Sequence, residues 1–219
     1  MGRFDFDSAI FDLDGTLVRS SQVWSDIDRD FLGKRGFEVP KDYCKAVSVL
    51  DFPRAAVYTK ERFALNETVD QIMQEWHDMA IDEYTNVIEA VEGADKFLHR
   101  LKEKGVKIAL ATASSEELYA PVLKRNGLYS CFDTFVTTAE VSRGKGFPDI
   151  YELACRRLGG QPETSIVFED IIEGIKGAKA GGFTAAACLN EKYSSDKELM
   201  IQQADLSFND YNELMSLLE

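Results

Sequence analysis

Asp12 and Asp14 stand two residues apart behind an apolar run, in Ile10-Phe11-Asp12-Leu13-Asp14-Gly15-Thr16. Side chains at i and i+2 of an extended segment leave on the same face. A strand over Ala9–Leu13 therefore delivers both carboxylates together at its C-terminal end. Two anions that close do not both stay ionised without a proton or a cation between them. A pair placed where a strand turns into a Gly-Thr loop points to metal-assisted catalysis. Other groups able to do chemistry fall at comparable places. Thr112 and then Ser114 follow the run Lys107–Ala111, Glu169-Asp170 follows Ser165–Phe168, and Lys145 lies in the loop Gly144-Lys145-Gly146 before a helix starting near Pro148.

Taken singly, each has a plainer reading. Thr112 can satisfy a backbone group at its strand end, Lys145 can be a solvated loop lysine, and Glu169-Asp170 can cap the next helix. Lys145 is not a phosphate-loop lysine, because Ala139 and Gly146 stand where that motif needs Gly and Ser/Thr.

The elements that must position these groups alternate along most of the chain. Val106–Ala111, Thr134–Thr137, Ser165–Phe168 and Thr184–Cys188 read as strands, with Leu206–Phe208 a possible sixth after Ala9–Leu13. Glu116–Arg125, Ile150–Leu158 and Ile171–Ala180 have helical spacing between them. That alternation predicts βαβ units around a parallel sheet, an α/β doubly wound, Rossmann-like fold. Ligands of such sheets bind beyond the carboxyl ends of the strands, where the acids, hydroxyls and lysine gather. Residues 17–91 break the pattern. Gln22–Lys34, Lys41–Leu50, Pro53–Leu65 and Thr68–Tyr84 all read as helices, with Asn66 and Thr68 as cap candidates. The reading is a core of residues 1–16 and 92–219 with an all-helical cap of residues 17–91, hinged near Leu17–Ser21 and Ala90–Gly93.

Composition narrows the partners. The 219 residues carry 25 Lys+Arg against 38 Asp+Glu, a net charge of −13. That surface repels phosphate backbones, so nucleic acid is not expected as a partner. Cys44, Cys131, Cys155 and Cys188 form no CxxC and suggest no disulfide framework; Cys155 and Cys188 read as core thiols. The acidic start of the chain is unlike a signal peptide, and no apolar stretch suffices for a bilayer. The expected location is the cytoplasm. His77 and His99 read as solvent-facing, and Trp24, Phe31, Phe52 and Trp76 as cap aromatics. Trp24, close to the hinge, and Arg54, after Pro53 at the expected cap tip, are the candidates for substrate contact. Lys60 and Arg62 are weaker ones, and the acidic face Glu67–Glu83 reads as solvated.

The motif set, in this order, resembles the haloacid dehalogenase superfamily. Asp12-Leu13-Asp14-Gly15-Thr16 is similar to its DxDGT motif and Thr112 to its strand-ending Ser/Thr. Lys145 falls in Gly-Lys-Gly-Phe-Pro-Asp, similar to GKPxPD with Gly146 in place of the first proline, and Glu169-Asp170 with Gly174-Ile175 is similar to the acidic fourth motif. The helical insert is similar to the small cap of phosphoglycolate-phosphatase-like and β-phosphoglucomutase-like members. The resemblance implies a Mg²⁺-dependent phosphatase of small phosphorylated metabolites. In it Asp12 is the nucleophile and Asp14 the general acid and base, while Thr112, Lys145 and Ser114 hold the phosphoryl group. Asp12, the Asp14 backbone, Asp170 and Glu169 would hold the metal. The family's dehalogenases lack the second aspartate. Its phosphonate hydrolases use a cap lysine, which Ser20–Asp30 does not offer, and its mutases an early cap histidine, absent from Gln22–Asp30. A sugar-phosphate mutase and a non-catalytic phospho-ligand binder remain the alternatives.

Overall fold

The computed structural model describes residues 5–47, 50, 52–189 and 196–218. It divides into two compact units, Met1–Ser21 with Ile88–Glu219, and Gln22–Val87.

In chain order the elements are β1 Ser8–Phe11, α1 Val23–Gly33, α2 Tyr43–Val47, α3 Phe52–Arg62, α4 Val69–Asn86, α5 Ala94–Glu103, β2 Lys107–Thr112 and α6 Glu116–Arg125. There follow β3 Thr134–Thr137, α7 Asp149–Leu158, β4 Ser165–Glu169, α8 Ile172–Ala180, β5 Thr184–Cys188, α9 Lys197–Gln203, β6 Leu206–Phe208 and α10 Asn212–Met215.

The larger unit is built on one six-stranded sheet in the order β3-β2-β1-β4-β5-β6, every neighbouring pair parallel. Its central strands are apolar on both faces, as a sheet covered by helices on each side requires. Ile10, Val167 and Ala109 join the cluster containing Ile150, Tyr151 and Ile175 of α7 and α8. On the opposite face Phe11 stacks on Phe168 with centroids 4.4 Å apart, and Phe97 and Tyr211 pack beside them. The chain runs outward from β1 through β2 to β3, then crosses back to β4 on the other side of β1. The order thus reverses between β1 and β4, where a crevice opens beyond the strand ends.

The helices follow their apolar spacing. In α5, Ala94, Phe97, Leu98 and Leu101 are buried, the i, i+3, i+4, i+7 stripe of a surface helix. In the smaller unit, Thr68 caps α4 through a reciprocal capping box with Gln71. One buried face of α4, Ile72, Trp76, Ala80 and Tyr84, meets Phe31 of α1 and Phe52 of α3 through Trp76. Among the described residues of this unit there is no strand.

Several sequence expectations shift. β1 ends at Phe11, because the amides of Leu17 and Val18 both bond back to Leu13 O and fold the chain over. The helix expected over Lys41–Leu50 starts at Tyr43 and is described as far as Val47; residues 48 and 49 lie outside the described residues. Neither Glu169 nor Asp170 caps α8: the N-cap is Ile171, without a side-chain bond. Trp24 is 46% exposed rather than cap core. His99 is exposed as expected but His77 is half-buried. Lys60 is occupied internally, donating to the carbonyls of Leu65 and Glu67, and Arg62 pairs with Asp42. The acidic face is partly engaged, since Arg35 binds both Glu67 and Glu75.

Candidate active site

The period of two places the acids. Asp12 follows Ile10, and Glu169 follows Val167, on the face that packs on α7 and α8. Phe11 pairs with Phe168 in register, so Asp12 and Glu169 come out side by side at the switch between β1 and β4. The Asp12 amide still donates to Phe168 O at 3.0 Å, which fixes the backbone at that point. Asp170 follows directly, and the carboxylates of Asp12, Glu169 and Asp170 lie within 4.8 Å of one another.

Lys145 reaches this cluster from its loop. Its Nζ donates to Asp12 Oδ1 and pairs with Glu169 Oε1 at 2.8 Å. The loop comes close enough because Gly177 of α8 carries no side chain: a Cβ there would overlap Lys145 O. Tyr151 of α7 donates to Glu169 Oε1 at 2.8 Å, and Thr16 donates to Asp12 Oδ2 at 3.3 Å. Glu169 is fully buried, and its Oε2 has no hydrogen-bond partner.

One ammonium cannot balance three carboxylates. Burial penalises the Lys145 charge, yet Asp12 and Glu169 outweigh it and hold the amine above its usual range. Burial is also what raises Asp12, to about 7; Lys145 opposes the rise while Glu169 and Asp14 add to it. The cluster is therefore short of positive charge. A hard divalent cation fits it: the donors are all oxygen, and the buried Glu169 Oε2 is left without a donor.

Asp14 has a different set of partners. Ser20 Oγ donates to its Oδ1 and Ser114 Oγ to its Oδ2, each at 2.7 Å. Ser114 is held in turn, its amide donating to Thr112 Oγ1 at 3.0 Å. Thr112 is fully buried; its hydroxyl oxygen thus satisfies a backbone group, the plainer of its two readings. Gly15, at φ +77°, makes the turn directly after Asp14, and a Cβ there would overlap the Asp170 carboxylate.

Of the sequence candidates, Asp12, Lys145, Glu169 and Asp170 come together, and Asp14 joins Ser114. Trp24 and Arg54 belong to the helical unit, exposed on α1 and α3. Three residues of the site were not foreseen. Thr16 lies inside the DxDGT motif. Ser20 needed the fold-back of the Asp14–Val18 bridge. Tyr151 carried a signal: a tyrosine on a buried helix face needs a hydrogen-bond partner for its hydroxyl.

A strand-end acidic cluster with a buried lysine on a doubly wound sheet defines a class of hydrolase. Residues 6–182 match the model of the haloacid dehalogenase-like hydrolases, and the chain belongs to that family. It is 33% identical to a bifunctional riboflavin kinase/FMN phosphatase of Arabidopsis thaliana over 79% of this chain and 46% of that protein. The chain thus spans about half the length of that relative. It is 28% identical to a validoxylamine A 7'-phosphate phosphatase of Streptomyces hygroscopicus subsp. limoneus, over 94% of both chains. The structure of a putative beta-phosphoglucomutase from Thermotoga maritima superposes with a TM-score of 0.85 at 23% identity, over 97% of this chain and 98% of that one, a likeness of fold. The chain is an enzyme of the hydrolase kind, and the curated relatives named here carry phosphatase activities in their names. Among the described residues, no helix is long and apolar enough to cross a membrane.

Proposed function

We propose that this hydrolase is a Mg²⁺-dependent phosphatase of small phosphorylated metabolites, working through an aspartyl-phosphate on Asp12. The observation that carries the reading is the pairing of Lys145 with Asp12 and Glu169 beside an unpartnered Glu169 Oε2. Asp12, Glu169, Asp170 and the Asp14 carbonyl would hold the ion. It would supply the positive charge that lets an anionic carboxylate approach an anionic phosphoryl group. The core of residues 1–16 and 92–219 would carry this chemistry, and the insert of residues 17–91 would act as its cap.

The steps belong to the chain's own groups. An Asp12 oxygen attacks phosphorus, and the bond to the leaving alkoxide breaks as Asp14 gives that oxygen a proton. Asp14, now a carboxylate, takes a proton from water. The hydroxide attacks phosphorus, the bond from Asp12 to phosphorus breaks, and inorganic phosphate leaves with both aspartates restored. Ser20 and Ser114 suit a residue that alternates between acid and base, because a hydroxyl can donate or accept as the proton moves. Lys145 neutralises non-bridging oxygens as charge develops on them, and Thr112, at the end of β2, turns its hydroxyl hydrogen to the phosphoryl group while its oxygen still accepts from Ser114 N.

Two measurements test this. Asp12→Asn abolishes phosphate release from every phosphomonoester while circular dichroism stays that of the parent. EDTA removes activity, and added Mg²⁺ restores it. Turnover in Asp12→Asn, or full activity in EDTA, would overturn the reading. Phosphate release to water, without an added bisphosphorylated sugar, separates hydrolysis from a mutase.

A further inference from the structure

The ammonium of Lys145 is divided. It pairs with both Asp12 and Glu169, and in the phosphatase reading it also meets the phosphoryl oxygens. A second donor reaches Glu169 from another element. Tyr151, in the first turn of α7, donates to Glu169 Oε1 at 2.8 Å, the same oxygen that pairs with Lys145 at 2.8 Å. Both Tyr151 and Glu169 are fully buried. The tyrosine ring is fixed by the core: it packs in the cluster with Ile150 and Ile175 and meets Phe183 edge-on, with centroids 6.4 Å apart. Helix α8 leaves room for the carboxylate, because a Cβ at Gly174 would overlap Glu169 Cδ and Oε2. With both donors on Oε1, the free accepting capacity of Glu169 gathers on Oε2, which has no partner. A neutral hydroxyl, unlike a second ammonium, orients this carboxylate without cancelling the charge that a hard cation needs.

We propose that Tyr151 is a positioning residue of the metal site: its hydroxyl, rather than the Lys145 ammonium, holds Glu169 in the orientation that binds the cation, which frees Lys145 for the substrate. The proposal rests on the Mg²⁺-dependent reading of this cluster. In this role Tyr151 touches neither ion nor substrate and acts through Glu169. Partners that hydrogen-bond a ligating side chain typically contribute about 10–100-fold to metal affinity. Lys145 has the opposite effect on the ion, because a buried ammonium beside the same carboxylates repels it.

The test titrates the full chain, stripped with EDTA and dialysed, with Mg²⁺ in a calorimeter. Tyr151→Phe keeps the ring and loses the hydroxyl, and its Kd for Mg²⁺ should rise about tenfold or more. The Mg²⁺ concentration that gives half-maximal phosphate release should rise by the same factor, with a smaller change in the KM of the phosphoester. Lys145→Met should bind Mg²⁺ at least as tightly as the parent while losing turnover. In a Glu169→Ala background, Tyr151→Phe should raise Kd no further, since the residue it acts through is gone. A merely structural tyrosine would lower the melting temperature and leave the Mg²⁺ Kd where it was. An unchanged Kd in a folded Tyr151→Phe, the same added loss in the Glu169→Ala background, or weakened Mg²⁺ binding in Lys145→Met would overturn the proposal and leave the metal reading standing. A parent chain that binds no Mg²⁺ would instead overturn the metal reading, and this role of Tyr151 with it.

Discussion

Asp12 and Asp14 have the same side chain two positions apart, and their surroundings divide them. Asp12 meets a buried ammonium and further carboxylates, while Asp14 meets two neutral hydroxyls. Fixed charge favours a group that must stay in place and attack, and adaptable hydroxyls favour one that gives and takes a proton. Asp28 shows the same dependence on environment with no catalytic duty assigned. In the folded chain it keeps its proton up to about pH 6, whereas its ordinary value is 3.8. Between those values the folded state binds more protons than the unfolded one, so the Asp28 contribution to stability falls as pH rises. Asp28→Asn removes that penalty. The melting temperature of the variant minus that of the parent is therefore near its minimum at pH 4, grows to pH 6 and levels off above. A difference independent of pH would show that Asp28 titrates normally.

The loop after β1 does as much as the strand. Gly15 occupies a backbone region that costs an L-residue about 1–2 kcal/mol, and its missing Cβ leaves space for Asp170. Gly15→Ala should destabilise the protein by about 2 kcal/mol and weaken the response to Mg²⁺, both read as thermal midpoints with and without the ion. An unchanged midpoint would mean that the loop re-forms at no cost. Much of this scale was legible in the sequence. β3, β5 and β6 fall on the residues expected from their apolar runs, and α6 does likewise, because short β-prone runs between helical patterns leave little choice of element. The rest was not legible for physical reasons. The end of β1 is set by Leu13 O accepting three amides, those of Thr16, Leu17 and Val18, and α2 starts later, at Tyr43, than its spacing suggests. Ser20 is six residues from Asp14, yet nothing local says that the chain returns to it. The contact of Tyr151 with Glu169 depends on where α7 crosses the sheet.

For the whole molecule, a net charge of −13 makes the approach of an anionic substrate unfavourable everywhere except where cations gather. Lys145 and the proposed ion would make that exception at one strand-end crevice. The division into two units also bears on unfolding, since each has its own core and neither need report on the other. The sequence contains two tryptophans, Trp24 and Trp76, and both lie in the helical unit, one half-exposed and one buried. Indole fluorescence therefore arises from that unit alone, while far-UV circular dichroism averages over both. In urea, separate midpoints from the two signals would measure how independently the units unfold, and coincident ones would show a single cooperative body. The placement of two side chains thus gives the enzyme an intrinsic optical reporter confined to its helical unit, with no label attached.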